Sequence, residues 1–241
     1  MRIAAFAATD TGLARSGNED SHLKGDTVFA VADGLGGHQA GEVASAAAVA
    51  PLADLDGRDL GGPVEAAEAL VAAVREANRA IMEQAAADPD QWGMGTTLTA
   101  AAVVGGRDLQ LAHVGDSRAY LLRGGELRQL TTDHTVIAEL VRRGHLSPAQ
   151  AALHPERSVL TRAVGLDPDL QVDTPAAVQL QPADQVLLCS DGLTEVVADQ
   201  RIAAVLTAAG GGDDACRSLV AAANDAGGPD NVTVVLLRVE G

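Results

Sequence analysis

The sequence predicts an α+β domain. Three observations carry this reading: apolar runs of strand length occur in groups, Ala-rich stretches of helical period lie between the groups, and acidic residues cluster where the runs stop or start. The first run, 28–32, leads to Asp33-Gly34. Two helices are predicted next, over 41–52 and 63–87. In the longer one Val64, Ala67, Leu70, Val71, Val74, Ala77 and Ile81 would bury one face, and Glu65, Glu68, Arg75, Glu76 and Arg79 would stay wet. Runs at 98–104, 109–114 and 119–122 follow. Gly105-Gly106-Arg107-Asp108 and Arg123-Gly124-Gly125-Glu126 are hairpin signals, so the middle of the chain is predicted to be an antiparallel meander. Between 130 and 172 the pattern loosens into helical pieces at 136–143 and 147–153. A strand over 186–190 then leads to Asp191, and helices over 200–208 and 213–226, separated by a Gly-rich loop, precede a last strand over 232–239.

At 241 residues, with no linker, low-complexity tract or repeat, the chain is read as one domain spanning 1–241. A hydrophobic fraction of 47% with only 2% aromatic residues calls for a core of Ala, Val and Leu. No apolar run reaches the ~18 residues of a membrane span, and Met1 to Phe6 is too short for a signal segment before Asp10. A soluble, cytoplasmic monomer is therefore expected. Cys189 and Cys216 are too few for a disulfide framework and read as small core residues. The net charge of −16 argues against nucleic acid and anionic membranes as partners, because both would be repelled. Lys24 is the only lysine, so phosphate recognition would fall to the planar guanidinium groups of arginine.

Five acidic blocks stand against the apolar runs: Asn18-Glu19-Asp20, Asp33-Gly34, Gly115-Asp116-Ser117, Asp191-Gly192 and Asp230-Asn231. Taken singly, such a block is ordinary turn chemistry. Together they need a counter-charge, since an unpaired carboxylate beside an apolar core is costly to desolvate. A divalent cation held by several of them is the simplest partner. All candidate ligands are oxygen donors, with no Cys or His at zinc spacing, which favours Mg²⁺ or Mn²⁺.

The string from Gly12 to Ser45, GLARSGNEDSHLKGDTVFAVADGLGGHQAGEVAS, resembles the opening of the bacterial protein phosphatase 2C family of metal-dependent serine/threonine phosphatases. Later strings agree in order and spacing: Gly95-Thr96-Thr97, His113 to Tyr120, Thr132-Asp133-His134, Leu160 to Gly165, Ser190 to Leu193 and Asp230 to Thr233. The resemblance implies an αββα sandwich, two antiparallel sheets flanked by helices, with a flap over about 131–171. It implies that Asp33 bridges two Mn²⁺ or Mg²⁺ ions, that Asp191 and Asp230 complete one, and that Glu19 and the Gly34 carbonyl serve the other. Asp20 would orient water, Arg15 would grip the phosphate, and Asp116 would hold a third, weaker ion with Ser158 as a flap-side contact. A hydroxide shared by the two ions would attack phosphorus in line, without a phosphoenzyme. Neither cysteine has an arginine six positions on, which agrees.

His38 and His22 compete as the acid that protonates the leaving alkoxide, with metal-held water as the alternative and a site-lining role for His38 as another. Thr96 and Thr97 are read as packing beside the site, and Asn231 as orienting Asp230 or its loop. A helix N-cap by Asp or Thr before Val136-Ile137-Ala138 explains Asp133-His134 better than a catalytic pair does. The expected substrates are phosphoserine and phosphothreonine proteins made by a serine/threonine kinase. A non-catalytic phosphopeptide binder and a hydrolase of small phosphate esters are the rivals.

Overall fold

The computed structural model describes residues 1–36, 40–151 and 153–241. Strands β1 (Arg2–Asp10), β2 (Asp20–Lys24) and β3 (Val28–Leu35) are followed by helices α1 (Ala40–Ala53) and α2 (Pro63–Ala87). A short β4 (Gly95–Thr96) precedes β5 (Leu98–Val104), β6 (Asp108–Val114), β7 (Arg118–Arg123) and β8 (Glu126–Gln129). The flap region carries α3 (Val136–Arg142) and α4 (Pro148–Ala151), and β9 (Val178–Gln179) returns the chain to a sheet. The remainder is β10 (Gln185–Cys189), α5 (Asp191–Thr194), α6 (Asp199–Ala208), α7 (Gly212–Asp225) and β11 (Val232–Glu240).

The strands form two antiparallel sheets, one ordered β1-β11-β10-β7-β8 and the other β2-β3-β5-β6-β9, with β4 paired to β3. Strand side chains alternate between faces, and the alternation builds three apolar layers. Phe29 and Val31 of β3, Leu109 and Leu111 of β6, Val186 and Leu188 of β10, and Val235 and Leu237 of β11 fill the space between the sheets. Val28, Ala30 and Ala32 point the other way, against α1 and α2. Leu187, Cys189, Val234 and Leu236 pack under α6 and α7. Both cysteines are buried and free, as expected of core residues. Among the described residues, no helix is long and apolar enough to cross a membrane.

The helices lie within a residue or two of their expected bounds, but the predicted meander is not one unit. β5 and β6 pair in one sheet and β7 and β8 in the other. The turn at Gly115 carries the chain across the sandwich. Its φ of +105° is open to glycine, and a Cβ there would stand 2.6 Å from the Thr97 Cβ. Strands β1, β2 and β8 were not expected: β2 and β8 are half-exposed and lack a continuous apolar run, whereas Ile3 to Ala8 of β1 is such a run that the sequence reading did not assign to a strand.

Past α1, the Asp56 carboxylate accepts the backbone N–H groups of Asp26, Thr27 and Val28 at 2.8–3.0 Å, tying the entry of β3 to the end of the helix. Burial would raise its pKa, but the three N–H groups and the Thr27 hydroxyl outweigh that and hold it below the usual range. Asp56→Ala is expected to cost ~1–3 kcal/mol in urea unfolding at neutral pH. The folded-state pKa is depressed, so this stabilisation is present above the unfolded value of about 3.9 and fades as pH falls through the folded one. Wild type and variant should converge in acid.

Candidate active site

The layer between the sheets changes character at one end. On β3 the face that carries Phe29 and Val31 next presents Asp33; on β10 and β11 the equivalent positions are Ser190 and Thr233, and on β5 and β6 they are Thr99 and His113. Asp33 therefore lies within β3 rather than beyond it, and pairs in register with Asp20 on β2. This placement aims both carboxylates into the end of the buried layer.

Arg15, Glu19, Asp33, Gly34, Asp116, Asp191 and Asp230 line one cleft of about 180 Å³, together with Leu35, Thr97, Ser158, Leu160 and Asn231. Asp20 lies one step back from it. Its Oδ2 accepts the Ser190 hydroxyl at 2.8 Å, whereas among the described residues its Oδ1 is buried without a hydrogen-bond partner. His38 lies outside the described residues. His22 is on β2 and does not line the cleft, and burial holds it below its usual pKa. A larger depression of about 800 Å³ beside Phe6, Asp184 and Arg217 shares none of these carboxylates.

The carboxylates are poorly neutralised. Burial, then the charges of Asp191 and Asp20, push Asp33 well above the carboxylate range. Burial is also the main cause that raises Asp20 to about 6, Asp191 to about 7 and Asp116 to about 8, with neighbouring carboxylates adding to each. Such mutual elevation marks a functional cluster more often than a structural one. Arg15 reaches it at the cleft mouth, where its Nη2 donates to Asp230 Oδ2 at 2.6 Å.

The surrounding frame fixes backbone rather than side chains. Asn231 donates to the carbonyls of Thr11 and Gly17 and accepts the N–H of Glu19, so one amide joins the Arg15 loop, Glu19 and the Asp230 turn. Thr97 Oγ1 accepts the Asp33 N–H at 3.0 Å and meets Ser117 Oγ at 2.7 Å, while the Thr96 hydroxyl donates to the Asp33 carbonyl. Both threonines thus brace Asp33, a more specific role than packing. Thr135, not Asp133, caps α3, and Asp133 pairs with Arg118 at 2.6 Å. Ser190, Thr233 and Thr99 escaped the sequence reading; their signal is position two residues along the buried face from an apolar strand residue.

An all-oxygen donor set, raised carboxyl pKa values and the orphaned Asp20 Oδ1 suit hard divalent cations. Among the described residues, however, no three His, Cys, Asp or Glu side chains stand together as a formed cage. Of the proposed ligands, Asp230 is engaged by Arg15.

The sequence profile of protein phosphatase 2C matches residues 7–140. The serine/threonine protein phosphatase PstP of Mycobacterium tuberculosis is 47% identical over 236 residues, covering 97% of this chain and 44% of the relative. The chain thus spans less than half the length of that curated relative. A crystal structure of the M. tuberculosis serine/threonine phosphatase PstP/Ppp superposes with a TM-score of 0.94 at 43% identity, covering 100% of both chains. A structure of the PstP catalytic domain in complex with two manganese ions matches with a TM-score of 0.88 at 40% identity, over 99% of each chain. Fold and site together define a domain of the two-sheet sandwich class that these phosphatases share. The chain belongs to the protein phosphatase 2C family.

Proposed function

We propose that this chain is a metal-dependent phosphatase acting on phosphoserine and phosphothreonine in proteins, opposing a serine/threonine kinase in the cytoplasm as a monomer, with residues 1–241 as one catalytic unit. The observation that carries the reading is the convergence of Asp33, Asp116 and Asp191, with Asp20 behind them, at the end of the inter-sheet layer. Asp33, Asp191 and Asp230 would hold one cation, and Asp33, Glu19 and the Gly34 carbonyl the other. Asp116, with Ser158, would serve a weaker third. When bound, Mn²⁺ or Mg²⁺ supplies an acidified water and charge stabilisation for phosphoryl transfer.

The chain's own residues do the rest. Asp20, held by Ser190, accepts a proton or hydrogen bond from water at the cleft floor. Arg15 moves from Asp230 to the incoming phosphate, to which a guanidinium offers two parallel donors. The cleft admits a phosphoryl group, and Asp116, Ser158 and Asp191 also line an adjoining groove of about 600 Å³ walled by Ile137, Ala138, Val141 and Pro148. A narrow cleft opening on a groove that also carries Arg142, Arg157 and Glu195 suits a phosphorylated peptide, whose flanking residues would fill it, better than a small ester.

Hydrolysis of a phosphothreonine peptide and of a nucleotide, each with Mn²⁺, Mg²⁺ and chelator, tests this. Metal-dependent turnover that favours the peptide is expected; preference for the nucleotide would transfer the assignment to small esters. Arg15→Ala should raise KM by about tenfold, the worth of one charge-assisted contact, with a smaller change in kcat. An unaltered KM would remove Arg15 from phosphate binding.

A further inference from the structure

The Asp133-His134 pair was set aside as helix capping, yet Thr135 performs the capping and His134 does something else. It lies between β8 and α3 with its side chain fully buried. Its backbone N–H donates to the Gly115 carbonyl at 2.8 Å, and its ring Nδ1 accepts the Gly115 N–H at 3.1 Å. One residue thus grips Gly115 by both its donor and its acceptor. On the far side of Asp116, the Thr99 hydroxyl donates to the Ser117 carbonyl at 2.8 Å and Thr97 Oγ1 meets Ser117 Oγ. Asp116 lies between these two braced residues and lines the cleft.

Because Nδ1 accepts, the ring proton must sit on Nε2, where it donates to Asp173 Oδ2 at 3.2 Å. Asp173 in turn takes Arg162 Nη1 at 2.6 Å. The His134 carbonyl accepts the Thr161 N–H at 2.8 Å, and Leu160, one residue earlier, lines the cleft. The ring of His113 lies 4.8 Å from that of His134. Burial holds both imidazoles below their usual pKa, leaving the Nδ1 lone pair of His134 available at neutral pH.

We propose that His134 is a positioning residue that clasps the Gly115 peptide, fixes the turn carrying Asp116, and ties that turn to the Thr161 and Arg162 side of the flap. The catalytic part of this proposal rests on the phosphatase reading; the clasp itself does not. Two variants separate the ring atoms. His134→Asn keeps an acceptor near the Nδ1 position, whereas His134→Gln reaches toward Asp173 and leaves the Gly115 N–H without an acceptor.

The Gln variant should lose about tenfold in kcat, the scale of one buried hydrogen bond, with KM for the phosphopeptide within about twofold. The Asn variant should stay within about threefold of wild type in both. Nitrogen NMR of the wild-type imidazole should report Nδ1 unprotonated and Nε2 protonated. Gly115 amide exchange should be slow in wild type and in the Asn variant, and faster in the Gln variant. A proton on Nδ1, or equal losses in the two variants with equal drops in Tm, would overturn the clasp. A folded, metal-loaded wild type that leaves the peptide intact would sink the phosphatase reading instead, and tautomer and amide exchange would then decide the clasp.

Discussion

Asp33→Asn is expected to lower kcat by at least ~10³-fold while leaving the protein folded in chelator. The wild-type cleft holds buried carboxylates whose pKa values are raised chiefly by burial and then by one another, Asp33 most of all. Removing its charge relieves that repulsion, so unfolding without metal should show equal or greater stability. Function should fall for the opposite reason. A two-cation centre contributes several kcal/mol to phosphoryl transfer, and each ~1.4 kcal/mol is a factor of ten in rate. Added Mn²⁺ should raise the wild-type Tm, by ~2.7 kcal/mol of linkage at a hundred times Kd, and should leave the Tm of Asp33→Asn nearly unmoved. Wild-type turnover by the variant would remove Asp33 from the chemistry. A variant that unfolds would show that the carboxyl is needed for structure first.

The parts of the fold that were legible in sequence are those that bury both faces. β3, β5, β6, β10 and β11 are continuous apolar runs, and α2 keeps its expected bounds and buries Leu70, Val74, Ala77 and Ile81 of the predicted stripe, although Val64 is exposed. β2 and β8 were illegible for a physical reason. An edge or near-edge strand exposes alternate residues, so Asp-Ser-His-Leu-Lys of β2 is indistinguishable from a loop. The sheet change between β6 and β7 was illegible too, since hairpin signals show where strands turn and not which partner they meet. That information resides in the Gly115 conformation and its contact with Thr97.

The candidate site was legible to the extent that its charges stand in the sequence beside strand ends. Asp33, Asp116, Asp191 and Asp230 announce themselves by sitting next to Val- and Leu-rich segments. The frame around them does not. Ser190, Thr99 and Thr233 are ordinary polar residues whose role appears only when β10 and β11, or β5 and β6, are placed side by side. Ser190 illustrates the point: its hydroxyl accepts the Thr233 N–H and donates to Asp20, two partners separated from it by 43 and 170 residues. Long-range braces of this kind follow from register, and register follows from which strands pair.

Gly34→Ala should be the most damaging single methyl in the molecule's centre, costing more than ~3 kcal/mol and abolishing activity with it. Gly34 is not in a left-handed conformation, so its requirement is for space. A Cβ there would stand 2.1 Å from the Gly41 carbonyl oxygen and 2.6 Å from that of Glu19. Neither is the end of a flexible side chain: one is the first turn of α1, the other the residue that enters β2. Gly41 shows the same economy from the helix side, since a Cβ on it would meet Glu19 Oε2 at 2.1 Å. The two glycines let α1 approach β3 closely enough to seat the Glu19 carboxylate at the cleft. Gly210→Ala, with nothing within 4 Å of the added carbon, is the matched control and should stay within ~0.5 kcal/mol of wild type. Urea midpoints for the two variants, with unchanged slope, measure the difference. If Gly34→Ala unfolds like the control, then β3 and α1 can separate at little cost, and Glu19 and the Gly34 carbonyl cannot be the rigid half of a metal site.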